Sequence, residues 1–259
     1  MSTVKKVEIV GLDRLSIATY VPTPGWDVWT LNVWYEGHWP LVIPDRVFQL
    51  HKKILPVMNA VKYLDVDRIH AHFAEWGVQV WTIPDSIPQF PECEAVGNLH
   101  SIDPEELYAM FPEEPPAFLF SSSIPYMLAQ AAKEGYKNIR VRACPMRDEY
   151  RFELAGTWRI IQLLEEKYGV RTEVQYGDEW AEIITAYPEL LDEERTRLSK
   201  QGLCYIDFVG SVVDHRYVTP TLDLEWQEKK RQMLLKRLAP EMKEQRLRRR
   251  AERLVRLAK

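Results

Sequence analysis

The sequence predicts an α/β protein in which a mostly parallel β-sheet is covered by helices on both faces. Short runs rich in β-branched and aromatic residues alternate along the chain with segments of helical periodicity. The connections between these segments are short, which is typical of repeated strand–helix–strand units. Glycine stands where three of the predicted helices end, at Gly77, Gly135 and Gly169. This alternation predicts a Rossmann-like domain over residues 1–187.

The first part of this domain is predicted to hold four strands and three helical segments. The strands are residues 7–10, 27–33, 46–50 and 78–83. Two helical patterns lie within residues 54–76 and break near residues 64–65. Residues 85–100 contain prolines and no clear period, so they are predicted to form a loop. Residues 101–111 begin with the pattern S-x-x-P-E-E and are predicted to form a short capped helix.

A serine loop lies in the most informative segment of the chain. The apolar run at residues 117–120 is predicted to be a strand. Three serines follow it: Ser121, Ser122 and Ser123. A helix that ends at Gly135 and a strand at residues 138–143 complete a strand–helix–strand unit. At such a junction, N–H groups and the helix dipole favour an anion such as a nucleotide phosphate. The alternative, a helix cap, needs only one of the three serines.

The rest of the predicted domain consists of a helix at residues 148–168, a strand at 171–175 and a helix that begins at Asp178. After Tyr187 the alternation of strands and helices is lost. Residues 188–259 are therefore predicted to form a separate, helical C-terminal extension.

The net charge of −4 conceals an uneven distribution along the chain. Residues 225–259 carry 13 Lys/Arg against 5 Asp/Glu, whereas the preceding residues carry 21 against 33. The basic C-terminal helix would fit an acidic protein surface or a second copy of the chain. Nucleic acid is a weaker alternative, because residues 243–259 include no aromatic side chain that could stack on a base.

Composition argues against several classes of protein. No run is long enough to cross a bilayer, and the N-terminus lacks the apolar stretch and cleavage site of a signal peptide. Cys93, Cys144 and Cys204 are far apart and odd in number, so a disulfide framework is not expected. No metal-ligand spacing is present, although carboxylates could hold magnesium together with a phosphate ligand. These features predict a cytoplasmic protein without a membrane anchor.

Further candidates lie at the predicted carboxyl ends of strands, where open α/β sheets bind ligands. Gly11 follows the first strand without a G-x-G-x-x-G motif, so it allows either a close approach to phosphate or ribose, or only a turn. Asn32 would contact a base or ribose, or its own turn. His51 ends the segment D-R-x-F-x-x-H and is a general base, a phosphate ligand or a structural residue. Arg46 in the same segment would neutralise charge on a leaving phosphate.

Residues 147–151 lie between a predicted strand and the next helix, opposite the serine loop. Two acids and two arginines there could hold a substrate, or form a capped and solvated first helical turn. We predict that Glu149 takes part in proton transfer together with His51. Arg151 is the alternative to Arg46 for neutralising charge.

These motifs resemble a domain that is common in bacteriophage genomes. Its members carry a serine pair, an alanine-rich helix, an E-G-Y-K stop, a strand that ends in G-x-D, and a following E-Y. They also carry a D-R-x-F-x-x-H segment, here residues 45–51, and an I-P-x-S loop, here residues 83–86. The resemblance covers about residues 7–180 and leaves out the C-terminal arm. More distantly, the group is similar to bacterial sialyltransferases that use CMP-activated sugars, and to motility-associated and 6-hydroxymethylpterin pyrophosphokinase-like proteins.

The resemblance implies a Rossmann-like fold whose serine loop and first glycine turn contact a nucleotide. This chain departs from the pattern at two positions. Gly11, Leu12 and Asp13 stand where the sialyltransferases have G-N-G, and residues 143–145 (ACP) replace the glycine and aspartate of G-x-D. The serine loop is retained, and Asp13 in the altered turn is a candidate nucleotide-binding residue.

The leading hypothesis is a phage-encoded protein that binds a nucleotide or nucleotide-sugar, as a glycosyltransferase-like or nucleotidyl-transfer enzyme. A non-catalytic scaffold or phage accessory protein, which binds protein or nucleic acid through the basic helix, is the first alternative. A binder that sequesters a nucleotide is the second. A phage-encoded protein would work in the cytoplasm of the host bacterium.

Overall fold

The computed structural model describes residues 4–17, 19–31, 42–51, 66–146 and 151–186. Within these ranges, seven parallel strands form one sheet, which confirms the predicted α/β class. The strands are β1 (Lys6–Val10), β2 (Asp27–Leu31), β3 (Arg46–Gln49), β4 (Gln79–Thr82), β5 (Leu99–Ser101), β6 (Asn138–Arg142) and β7 (Arg171–Val174). Their order across the sheet is β5-β4-β3-β2-β1-β6-β7. The direction of progression reverses between β1 and β6, so the topological switch point lies there.

Helices cover both faces of the sheet. They are α1 (Arg14–Ile17), α2 (Val66–Glu75), α3 (Pro91–Ala95), α4 (Pro104–Tyr108), α5 (Pro116–Leu119), α6 (Ser123–Lys133), α7 (Arg151–Tyr168) and α8 (Gly177–Ala186), with a 3-10 helix at Pro84–Gln89. Phe48 and Val47 alternate along β3 and point to opposite faces. Phe48 belongs to the large core that α6 and α7 share, whereas Val47 packs with Phe73 of α2. No helix in the described ranges is both long and apolar enough to span a bilayer.

The serine loop connects two helices, which corrects the predicted strand at residues 117–120. Those residues lie in α5 and just after it, and Pro116 occupies an early position in that helix. All four side chains of the run are buried. The run therefore has no exposed polar residues whose spacing would have indicated a helix. Gly156 of α7 lets the backbone of α5 come close, because an ideal Cβ there would stand 2.0 Å from the carbonyl oxygen of Phe118.

The predicted loop at residues 85–100 is also corrected. It contains the 3-10 helix, α3 and the start of the edge strand β5. Prolines begin the two helices here, since a proline is tolerated in a first turn, where its missing N–H has no intrahelical acceptor. The next helix, α4, is shorter than predicted and is capped by the carboxylate of Asp103 instead of Ser101. The first helical pattern of residues 54–76, which ends near residue 64, and all of residues 188–259 lie outside the described residues.

The close packing of α5 on α7 predicts a strong effect of a small substitution, Gly156→Ala. Alanine normally stabilises a helix by about 1 kcal/mol relative to glycine. Here the added methyl group would clash with backbone carbonyls. Such overpacking destabilises a protein by about 1–3 kcal/mol, which should outweigh the gain in helix propensity. Because the Phe118 oxygen would lie only 2.0 Å from the methyl, the cost is at the upper end of this range, and we expect urea unfolding to show a net loss of about 2 kcal/mol. Gly177→Ala is the matched control, because its nearest neighbour would lie 3.8 Å away. Equal stability of the two variants would contradict the packing.

Candidate functional site

The loop after β1 closes against the end of β6 at the topological switch point. The N–H of Gly11 donates to the carbonyl of Arg142 at 2.8 Å, and the N–H of Asp13 donates to the carbonyl of Ala143 at 2.9 Å. An ideal Cβ at Gly11 would stand 2.4 Å from the oxygen of Ala143, so only glycine allows this approach. The residues after β1 therefore continue the ladder with β6 instead of turning outward around a ligand.

The segment that follows β6 has a strained backbone. Ala143 and Met146 adopt φ angles of +52° and +49°, which side chains with a Cβ rarely adopt. Three contacts hold the segment in place. The amide oxygen of Gln175 accepts from the N–H of Ala143, the carbonyl of Ala143 accepts from Asp13, and the indole of Trp180 donates to the carbonyl of Pro145 at 3.1 Å. In proteins, strained backbone that is held in place by surrounding contacts is found most often at functional sites.

The N-terminus of α6 points to this same edge of the sheet. The opposite end of the helix is fixed at the amino edge, where the carboxylate of Glu134 binds Arg46, the first residue of β3. At the other end, the hydroxyl of Ser121 donates to the backbone carbonyl of Glu153 at 3.4 Å. The serine loop is thereby linked to the first turn of α7, which follows β6.

Ser122 is the N-cap residue of α6, yet its hydroxyl caps nothing. The residue has extended backbone angles and is 7% exposed, and its Oγ has no hydrogen-bond partner. An N-cap side chain normally accepts from the second or third N–H of the helix. The third helical residue here is Pro125, which has no N–H to give. Burial of an unpartnered hydroxyl costs about 1–3 kcal/mol, so this atom is poised for a partner from outside the chain.

The electrostatics of this edge suppress thiolate chemistry. Burial, together with the smaller effect of the nearby carboxylates of Glu153 and Asp13, raises the pKa of the Cys144 thiol to about 12. The thiol therefore stays protonated at neutral pH and is a poor nucleophile. No group of three or more His, Cys, Asp or Glu in the described ranges is arranged to hold a metal ion.

His51 lies at the carboxyl end of β3, two strands and thus about 10 Å from β1. Its side chain is buried, and its backbone carbonyl accepts from the hydroxyl of Ser86 at 2.8 Å. Burial lowers the pKa of the imidazole from 6.5 to about 4, so the ring is neutral at pH 7. A neutral imidazole has the protonation state of a general base. Its catalytic role stays a prediction.

The structure does not bring Arg46 to the serine loop. Its guanidinium makes two hydrogen bonds to Glu134, at 2.6 and 2.7 Å, at the amino edge of the sheet. It also lies over the rings of Trp29 and Trp81, at 4.4 and 4.6 Å from their centroids. Bidentate pairing and two cation–π contacts occupy the guanidinium. Arg46 therefore holds β3 and α6 together, and the sequence analysis missed this because Glu134 lies 88 residues away.

The remaining predicted residues fall into two groups. Gly11 and Asp13 follow β1, and the serine loop precedes α6, so both lie at the carboxyl edge of the sheet, and their binding of a ligand stays a prediction. Asn32 and Glu149 lie outside the described residues, and only the backbone of Arg151 is described, at the start of α7. The sequence analysis did not single out Pro125 or Tyr176. Pro125 has a readable signal, a proline two residues after the serines, whereas the position of Tyr176 depends on contacts distant in sequence.

Comparison with known proteins gives one match. No protein-family model matches the chain, and no curated protein sequence matches it. Among solved structures, the chain aligns with the sialyltransferase CstII from Campylobacter jejuni, which was determined in complex with a substrate analogue, cytidine-5′-monophosphate. The alignment covers 66% of this chain and 79% of that chain, at 15% identity and a TM-score of 0.40. At this level of similarity the match carries no argument about function, and the proposed function rests on the residues of this chain alone.

The buried neutral state of His51 predicts how stability depends on pH. Because the folded protein holds the pKa near 4 and the unfolded chain near 6.5, the unfolded state binds the proton more tightly. The contribution of this group is fully present above pH 6.5 and is lost as the pH falls towards 4. Between pH 7 and pH 5 the free energy of unfolding should fall by about 2 kcal/mol more in the wild type than in His51→Gln. Urea unfolding at both pH values measures this, and parallel pH dependence in the two proteins would contradict it.

Proposed function

We propose that the protein binds a nucleotide or nucleotide-sugar by its phosphate, at the carboxyl edge beside the N-terminus of α6. The observation that carries this proposal is the buried, unpartnered hydroxyl of Ser122 at the start of an 11-residue helix. A hydroxyl donor, the N–H groups of a first helical turn and the positive end of a helix dipole together suit a phosphate. The proposed reaction class is glycosyl or nucleotidyl transfer.

Closure of the β1 loop limits what the site can accept. In dinucleotide-binding folds, the pyrophosphate rests on a glycine loop and on the helix that follows the first strand. Here the N–H groups of Gly11 and Asp13 are bonded to β6, and the helix that follows has only four residues. We therefore expect a ligand whose phosphate is held by α6 alone, and we expect NAD not to bind.

The proposal assigns roles to the other residues that were predicted from the sequence. Gly11, Asp13 and Asn32 would lie near the nucleoside, and Ser121 and Ser123 would complete the phosphate contacts. His51 and Glu149 would transfer protons. Charge neutralisation on a leaving phosphate passes to Arg151, since Arg46 is bound at the other edge.

The experiment is calorimetric titration of the wild type and Ser122→Ala with inorganic phosphate, CMP, UDP, GDP, ATP and NAD. At least one mononucleotide should bind the wild type. Loss of a hydrogen bond to a charged group, about 1.5–3 kcal/mol, should weaken that binding at least about 10-fold in Ser122→Ala. Ser101→Ala is the matched control, because Ser101 lies on the edge strand β5 and its hydroxyl bonds only a neighbouring carbonyl.

Two outcomes would contradict the proposal. One is the absence of binding to every nucleotide at millimolar concentration. The other is binding that Ser122→Ala leaves unchanged, which would place the ligand elsewhere. In the variant, the fold is checked by urea unfolding, which should show equal or higher stability, because the substitution removes a buried hydroxyl that has no partner.

A further inference from the structure

A second group of polar side chains lies on the carboxyl edge, around the carboxylate of Asp13. The hydroxyl of Ser16 donates to Oδ2 of Asp13 at 2.5 Å, and the hydroxyl of Tyr176 donates to the same oxygen at 3.1 Å. The two hydroxyls also contact each other. All three side chains are partly exposed, so a ligand can reach them.

Helix capping accounts for only part of this arrangement. Asp13 precedes α1, and its carboxylate accepts the N–H of Ser16 at 2.9 Å, which is a normal capping contact. A cap needs neither the Ser16 hydroxyl nor a phenol. Tyr176 is 163 residues distant from Asp13 and follows β7, and its hydroxyl reaches Asp13 and Ser16 past the end of β6. The combination of a serine, a carboxylate in contact with its hydroxyl and a third group that orients them is the arrangement of an activated nucleophile.

We propose that Ser16 is a nucleophile, with Asp13 as its general base and Tyr176 as a positioning residue. The Oγ of Ser16 attacks a phosphorus atom, and a bond forms between them. The Oγ–H proton passes to Oδ2 of Asp13. The bond from phosphorus to the leaving oxygen breaks, and the leaving group takes the electron pair. Asp13 gives the proton it holds to the leaving oxygen and becomes a base again. Water then attacks the phosphorus of the phosphoserine ester and gives a proton to Asp13. The bond between phosphorus and Oγ breaks, Oγ takes that proton from Asp13, and Ser16 is restored.

The substrate class is an activated phosphoryl compound. This choice rests on the proposed function, since the phosphate would be supplied at the same edge by the ligand of α6. The reactivity of Ser16 does not rest on it, because it follows from the contacts with Asp13 and Tyr176. A probe that carries its own electrophilic phosphorus therefore tests the nucleophile independently of nucleotide binding.

The experiment is labelling of the full chain with a fluorophosphonate, followed by intact mass and peptide mapping. The probe loses fluoride when a serine oxygen bonds its phosphorus. We expect one adduct, on the peptide that contains Ser16. The variant Ser16→Ala keeps the backbone N–H that donates to Asp13, and it should form no adduct at all. Asp13→Asn keeps an oxygen that can cap α1 but removes the base, and should slow labelling at least about 100-fold, in the range of general base catalysis.

Two further variants separate reactivity from folding. Tyr176→Phe should lower the maximal labelling rate while the half-saturating probe concentration stays unchanged, as expected of a residue that only orients the nucleophile. Ser101→Ala should label like the wild type. Labelling of folded wild type at any residue other than Ser16, no labelling at all, or equal rates in the wild type and Asp13→Asn would each overturn the proposal. Nucleotide titration with Ser16→Ala reports on the α6 site separately.

Discussion

The ion pair between Arg46 and Glu134 sets the geometry on which the candidate site depends. The two side chains are bonded twice, and the indoles of Trp29 and Trp81 stack on the guanidinium. Glu134 ends α6, and Arg46 begins β3, so the pair anchors one end of the helix to the amino edge of the sheet. With 11 residues, α6 then extends about 16 Å and brings Ser122 to the carboxyl edge. A partly buried contact at the amino edge of the sheet thus directs a helix terminus at the carboxyl edge.

At the carboxyl edge, closure of the switch point and the strained turn are parts of one arrangement. Gly11 and Asp13 bind the end of β6, and Ala143 accepts and donates hydrogen bonds at a φ that favours glycine. The crevice between β1 and β6 is therefore filled by backbone. The N-terminus of α6 and the group of Asp13, Ser16 and Tyr176 lie at this same edge. Phosphate binding is proposed for the first, and attack on phosphorus for the second.

Local patterns predicted most of the fold and the serine loop at the N-terminus of a helix. The β1 and β6 strands were predicted from short apolar runs, and Gly135 and Gly169 marked the ends of two helices. The run at residues 117–120 was wrongly predicted as a strand, because a fully buried segment has no polar face to report its period. The contacts of Arg46 with Glu134 and of Ser16 with Tyr176 could not be predicted from the sequence. The order of the strands in the sheet brings these residues together, and local sequence patterns do not specify that order.

Pro125 has a consequence for the life of the protein in a cell. Because it deprives Ser122 of the usual cap, the Ser122 hydroxyl is buried without a partner and the fold is less stable than it could be. A phosphate ligand bound there, as proposed, would shift the folding equilibrium towards the native state by mass action. Proteases degrade the opened chain, so the abundance of the protein would rise and fall with the supply of that ligand. The missing N–H of Pro125 would in this way make degradation of the protein depend on the concentration of its ligand.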